Sequence, residues 1–175
     1  MTSERIESSQ EYNDAARRAT GGRLRTAGII LGVGLGGFFD GIVLHQLLQW
    51  HHMLTSAGFP PTSVENLQIN TLWDGLFHSL TWVLTTVGIF LLWRAYAAGE
   101  RPASIVAFVG LLLIGWGLFN VVEGLLNHYL LGIHHVRDDV GEGTARQLWD
   151  AGFLLWGAAM ILAGWLLSRR PVSGR

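Results

Sequence analysis

The sequence predicts an all-α integral membrane protein, a four-helix bundle built from two helical hairpins in parallel repeat. Three observations predict it. Half of the residues are hydrophobic and only 14% are charged, with a mean hydropathy of +0.34, too apolar for an ordinary soluble domain. Four stretches reach the ~20 mostly apolar residues that a transmembrane helix needs. A thirteen-residue pattern also occurs twice. It reads Asp40-Gly41-x-x-x-His45-x-Leu47-Leu48-x-x-His51-His52, then Glu123-Gly124-x-x-x-His128-x-Leu130-Leu131-x-x-His134-His135.

Residues 1–24 are polar and mixed in charge, and read as a disordered or loosely helical tail. No short apolar run with a small-residue cleavage site precedes the first span, so it is expected to stay as an anchor. The transmembrane domain is expected over 25–168, with spans at about 26–53, 71–95, 103–133 and 145–168. Residues 169–175 form a second tail. Trp50, Trp73, Trp93, Trp149 and Trp165 fall near span ends, where indole favours the headgroup region. Trp82, Trp116 and Trp156 fall nearer mid-span and are expected to pack inside.

The second span opens Leu72-Trp73-Asp74-Gly75 and the fourth Leu148-Trp149-Asp150-Ala151, so the repeated unit is a pair of helices. Two such units keep the same orientation and should be related by a pseudo-two-fold axis along the membrane normal. Arg17, Arg18, Arg23 and Arg25 precede the first span, Arg94 and Arg101 flank the second connection, and Arg169, Arg170 and Arg175 follow the fourth span. By the positive-inside rule both termini are cytoplasmic. Gly28, Gly32 and Gly36 stand four apart and suit close helix packing.

Six of the seven histidines lie in the duplicated pattern. Ionisable groups are expensive inside a bilayer and mark functional sites there. The expected metal ligands are His45, His78, His128, Asp40, Glu123, His52 and His135. Asp74, Asp150, Asn120, Asn127, His51 and His134 are expected to support them or, for Asp74 and Asp150, to cap helix N-termini. On ideal α-helices His45, His78, His128, Asp74 and Asp150 share one layer. Asp40 and Glu123 lie deeper, and the paired histidines lie shallower. With no cysteine in the chain, iron–sulfur and zinc-thiolate sites are excluded. Imidazole with carboxylate suits iron, copper or zinc. The Glu-x-x-His spacing of di-iron bundles is absent, so the analogy with them is one of ligand type.

The segments from Gly34 to His45, Gln49-Trp50-His51-His52, Phe119 to Gly124 and Gly132 to Asp138 resemble a bacterial family of four-span membrane proteins that carries a domain-of-unknown-function label. The resemblance covers nearly everything after residue 26. It implies a multi-pass protein of the bacterial inner membrane, and no activity.

The leading reading is a membrane metalloprotein with a buried His/carboxylate site near the periplasmic end, serving redox chemistry or metal handling. Its alternatives are a haem protein with His45 and His128 as axial ligands, and a proton or metal-ion transporter using Asp40 and Glu123. The net charge of −1 gives no sign of a nucleic-acid partner. The lipid bilayer is the one partner implied; a homo-oligomer or a membrane-protein partner stays open.

Overall fold

The structure, a computed structural model, describes residues 3–102 and 104–169, with side chains from Gly21 onward. The side chains of Arg17, Arg18, Arg170 and Arg175, used above for orientation, lie outside the described residues. The fold is all-α. Its helices are α1 (Ser3–Phe39), α2 (Val64–Ala97), α3 (Ile105–Glu123) and α4 (Thr144–Ser168). Among the described residues, four helical stretches are long and apolar enough to cross a membrane: Gly21–Leu47, Val64–Ala97, Ile105–Leu130 and Thr144–Ser168.

Local chemistry sets several boundaries. Ser63 and Ser104 cap α2 and α3, each side chain accepting a backbone N–H three residues on, the usual N-cap arrangement. The Ser63 cap starts α2 well before the expected position near residue 71. Consequently Asp74 lies about three turns inside α2 and does not cap it. Asp150 is likewise interior to α4.

The helices pack as a bundle in which α1 and α3 form the centre. α2 packs on α1 and α4 packs on α3, while among the described residues the backbones of α2 and α3 stay apart, as do those of α1 and α4, and the rings of Phe77 and Phe119 meet across the α2–α3 gap 6.0 Å apart. Glycines make the central crossing close. A Cβ on Gly32 would strike the Leu112 carbonyl oxygen, and one on Gly115 would strike that of Ile29. Lipid supplies no hydrophobic drive between helices, so such backbone approach is what holds them.

Trp82 and Trp156 are more than half exposed on the outer surface, contrary to the expectation that they pack inside. Lipid tails are as apolar as a protein core, so the ring carbons of an outward indole are as well placed there as inside. Trp116 is half-buried, its ring against Gly36 of α1 and 5.0 Å from Phe39.

Candidate metal centre

Helices α1 and α3 both change pitch where the duplicated pattern begins. Asp40–Leu47 and Gly124–Leu130 are π-helix. Residues five apart stand about 140° apart around an α-helix, but a π-helix bonds i to i+5 and brings them onto one face. Asp40 therefore meets His45, with Oδ2 3.2 Å from Nε2, and Glu123 meets His128, with Oε1 3.4 Å from Nε2. Each wide turn ends alike. Leu48 N–H donates to Val43 and Leu131 N–H to Leu126, both at 2.8 Å. The chain then leaves through a left-handed residue, Gln49 (φ 50°) in one copy and Gly132 (φ 58°) in the other.

That exit folds the next residues back into the bundle. His51 and His134 are almost wholly buried, and their rings stack 4.6 Å apart at an interplanar angle of 7°. His51 Nδ1–H donates to the Val136 carbonyl at 3.0 Å, and His134 Nδ1–H donates to the Met53 carbonyl at 3.1 Å. Each histidine is thus held by the segment that carries the other. Two further chain-to-chain bonds tie the loops, Asp138 N–H to Trp50 and Ser56 N–H to Ile133.

Asp74 and Asp150 stand behind the cluster. Asp74 accepts from His45 Nδ1–H (2.9 Å), His52 Nδ1–H (2.7 Å), Met53 N–H (2.9 Å) and the Gln46 amide (3.1 Å). Asp150 accepts from His135 Nδ1–H (2.6 Å) and Val136 N–H (3.0 Å), with His128 Nδ1 3.4 Å away.

Placement differs from the ideal-helix layers at three points. His51 and His134 stand at the centre of the cluster rather than in a shallow layer, because the chain re-enters after the π-turns. His52 and His135, expected among the ligands and shallower than Asp74 and Asp150, bond those carboxylates through Nδ1. His78 is half-buried, and its Nδ1–H donates to the Asp74 carbonyl of its own helix at 2.7 Å. Asn127 donates to Glu123 at 3.2 Å, and buried Asn120 lines a cavity beside Asp40. The backbone carbonyls of Met53 and Val136 escaped sequence reasoning, since no side-chain type marks a carbonyl acceptor.

The electrostatics follow from these bonds. A carbonyl accepts only, so His51 and His134 carry their proton on Nδ1 and present a lone pair at Nε2. The Asp74 carboxylate selects the same tautomer in His45. Yet His45 Nε2 faces the Asp40 carboxylate, and His134 Nε2 stands 2.7 Å from Glu123 Oε1. Lone pairs thus meet carboxylate oxygens in a buried space, which requires a cation, either protons or a metal. Asp40 Oδ2, His45 Nε2, His51 Nε2, Glu123 Oε2 and both ring nitrogens of His128 are buried without a hydrogen-bond partner. Burial first, then the nearby imidazoles of His134 and His45, pushes His51 in its loop well below the ordinary histidine range.

Among the described residues, two groups have the spacing to hold an ion. Ligand atoms of His45, His51 and His134 lie within 4.8 Å of one another, as do those of Glu123, His128 and His134. Donors that share a tetrahedral ion with bonds of about 2.0–2.1 Å stand about 3.4 Å apart, close to the two π-turn contacts. No curated protein and no solved structure matched the chain. The family described as "Predicted membrane protein (DUF2243)" matches residues 27–171, and the chain belongs to that family.

Proposed function

We propose that this protein is a metalloprotein of the bacterial inner membrane with a transition-metal centre near the periplasmic end of its bundle, serving redox chemistry or metal handling. His45, His51, His128 and His134 would supply imidazole nitrogen, and Asp40 and Glu123 would supply oxygen. Asp74, Asp150, His52 and His135 orient them from behind. The carrying observation is that Nδ1 of His45, His51 and His134 is tied to an oxygen, which turns Nε2 of His45 and His134 to the Asp40 and Glu123 carboxylates and leaves Nε2 of His51 buried without a partner. Partners of that kind fix the tautomer and raise ligand basicity in metal sites. The donor set suits iron, copper or zinc. Full burial of His45 and His134 favours a resident ion over exchanging cargo.

In this reading the site sits on the pseudo-two-fold axis of two like hairpins, with both termini cytoplasmic. Support comes from corresponding hydrogen bonds in the two copies of the pattern. The close approaches of Gly34 to α2 and Gly117 to α4 add to it. A haem between His45 and His128 is disfavoured, because the stacked rings of His51 and His134 stand among them.

Elemental analysis of the detergent-purified chain tests the proposal. Near-stoichiometric iron, copper or zinc is expected. Metal-free protein after purification without chelator and reloading with each ion would overturn it.

A further inference from the structure

We propose that the groove between α1 and α2, at the end of the bundle away from the histidines, seats the headgroup of one acidic phospholipid, its phosphodiester between Arg23 and Arg94. The inference stands apart from the metal reading. A cavity of about 390 Å³ lies there, lined by Gly22, Arg23 and Thr26 of α1 and by Leu91 and Arg94 of α2, within the size range of small-molecule sites. All of these except Leu91 are exposed, so the site is open to its surroundings. Gly22 keeps the space clear, since a Cβ there would meet nothing within 4 Å.

Depth selects a lipid. Arg23 stands two residues inside the start of the apolar stretch Gly21–Leu47, and Arg94 three residues before the end of Val64–Ala97. Trp93 and Tyr96 are exposed on α2 beside Arg94, and such rings favour the headgroup layer. The cavity therefore lies at the level of lipid phosphate. About one turn deeper on α2, Ile89 and Phe90 are exposed and apolar, a surface suited to acyl chains.

Charge selects an acidic lipid. Arg23, Arg25, Arg94, Arg101 and Arg169 stand at this end, and among the described side chains Glu100 is the one acid there. Glu100 is 3% exposed and accepts Leu24 N–H at 2.8 Å. Arg101 lies over the Tyr96 ring and donates to the Tyr96 and Glu100 carbonyls, and Arg169 lies over Trp165. Arg23 and Arg94 are the two that line the cavity together. Thr26 gives its hydroxyl proton to the Gly22 carbonyl at 3.0 Å. The donors to an anion are thus the two guanidinium groups, whose planar forks match phosphate oxygens. A choline headgroup adds a cation that both arginines repel; a glycerol headgroup adds none.

The test uses the full chain, delipidated in detergent. Phosphatidylglycerol and phosphatidylcholine with matched acyl chains are the probes, and bound lipid is counted by native mass spectrometry. One phosphatidylglycerol per chain is expected, held about tenfold or more tightly than phosphatidylcholine. Arg23→Ala and Arg94→Ala should each weaken it about fivefold, as for loss of one arginine at an anionic surface. Arg25→Ala removes a charge from the same end but not from the cavity, and should leave binding unchanged. Gly22→Phe keeps both arginines and fills the space, and should abolish the preference without lowering the thermal midpoint. Equal binding of the two lipids, or equal weakening by Arg25→Ala, overturns the proposal in favour of diffuse surface charge. Full binding by Gly22→Phe places the lipid elsewhere and overturns it too. Displacement of the lipid by equimolar inorganic phosphate overturns it in favour of a free anion.

Discussion

His51 and His134 stack face to face, 4.6 Å between ring centroids, and each donates its Nδ1 proton to a carbonyl beside the other's segment. Neither can flip without abandoning a buried carbonyl, so their Nε2 atoms keep facing the centre. Replacing either with alanine should lower bound metal to a small fraction of wild type by elemental analysis. Arg101→Ala, at the opposite end of the bundle, should not. Equal occupancy in all three variants counts against the centre as drawn.

Asp74 orients two imidazoles and a backbone amide at once. Asp74→Asn turns an amide N–H₂ toward donors and breaks at least one of those bonds. Metal affinity, read by competition with a chelator, should fall by about 10–100-fold, as when outer partners of metal-binding histidines are lost. Asp150→Asn should behave alike. Unchanged affinity in both would show that the carboxylates only bind helices together.

The π-turn sets the register between Asp40 and His45. Deleting Ile42 shortens the spacing to four and permits a regular α-helix there. Metal binding should disappear while circular dichroism shows helical content retained. Retained metal would mean that the five-residue spacing is dispensable.

Gly115 carries the central crossing, where a side chain would strike the Ile29 carbonyl. Gly115→Leu should destabilise by about 1–3 kcal/mol or more, the usual cost of overpacking, seen as a lowered thermal midpoint in detergent. An unchanged midpoint would place the crossing elsewhere.

Arg137 joins the loops at the histidine-bearing end of the bundle. Its guanidinium lies 4.6 Å from the Trp50 ring centre and 5.3 Å from that of Trp149, and it pairs with Asp139 through two bonds. That pairing holds the Asp139 carboxyl below the usual range. A depressed carboxyl stabilises the fold above its unfolded pKa, near 4, and loses that effect only as pH falls through the folded value. Arg137→Ala should therefore lower the thermal midpoint by an amount that stays constant from about pH 6 to 8 and shrinks only in acid. A difference that varies across the neutral range would point to another group.

The sequence by itself determined the all-α class and four helices long and apolar enough to span a membrane, and its duplicated pattern sets Asp40 beside Glu123 and His45 beside His128 as equivalent positions. Hydrophobic length and repetition are properties of the chain, and bilayer physics reads them directly. Tertiary structure alone decided which histidines occupy the centre. Ideal α-helical counting placed His51 beyond His45 toward the membrane surface, but the π-turns and the left-handed exits at Gln49 and Gly132 send the chain back inward. Whether a helix widens its pitch depends on what it packs against, as where Gly41 meets His78 and Gly124 meets Leu154. The carbonyls of Met53 and Val136, which fix the tautomers, belong to a backbone whose direction only the assembled bundle sets.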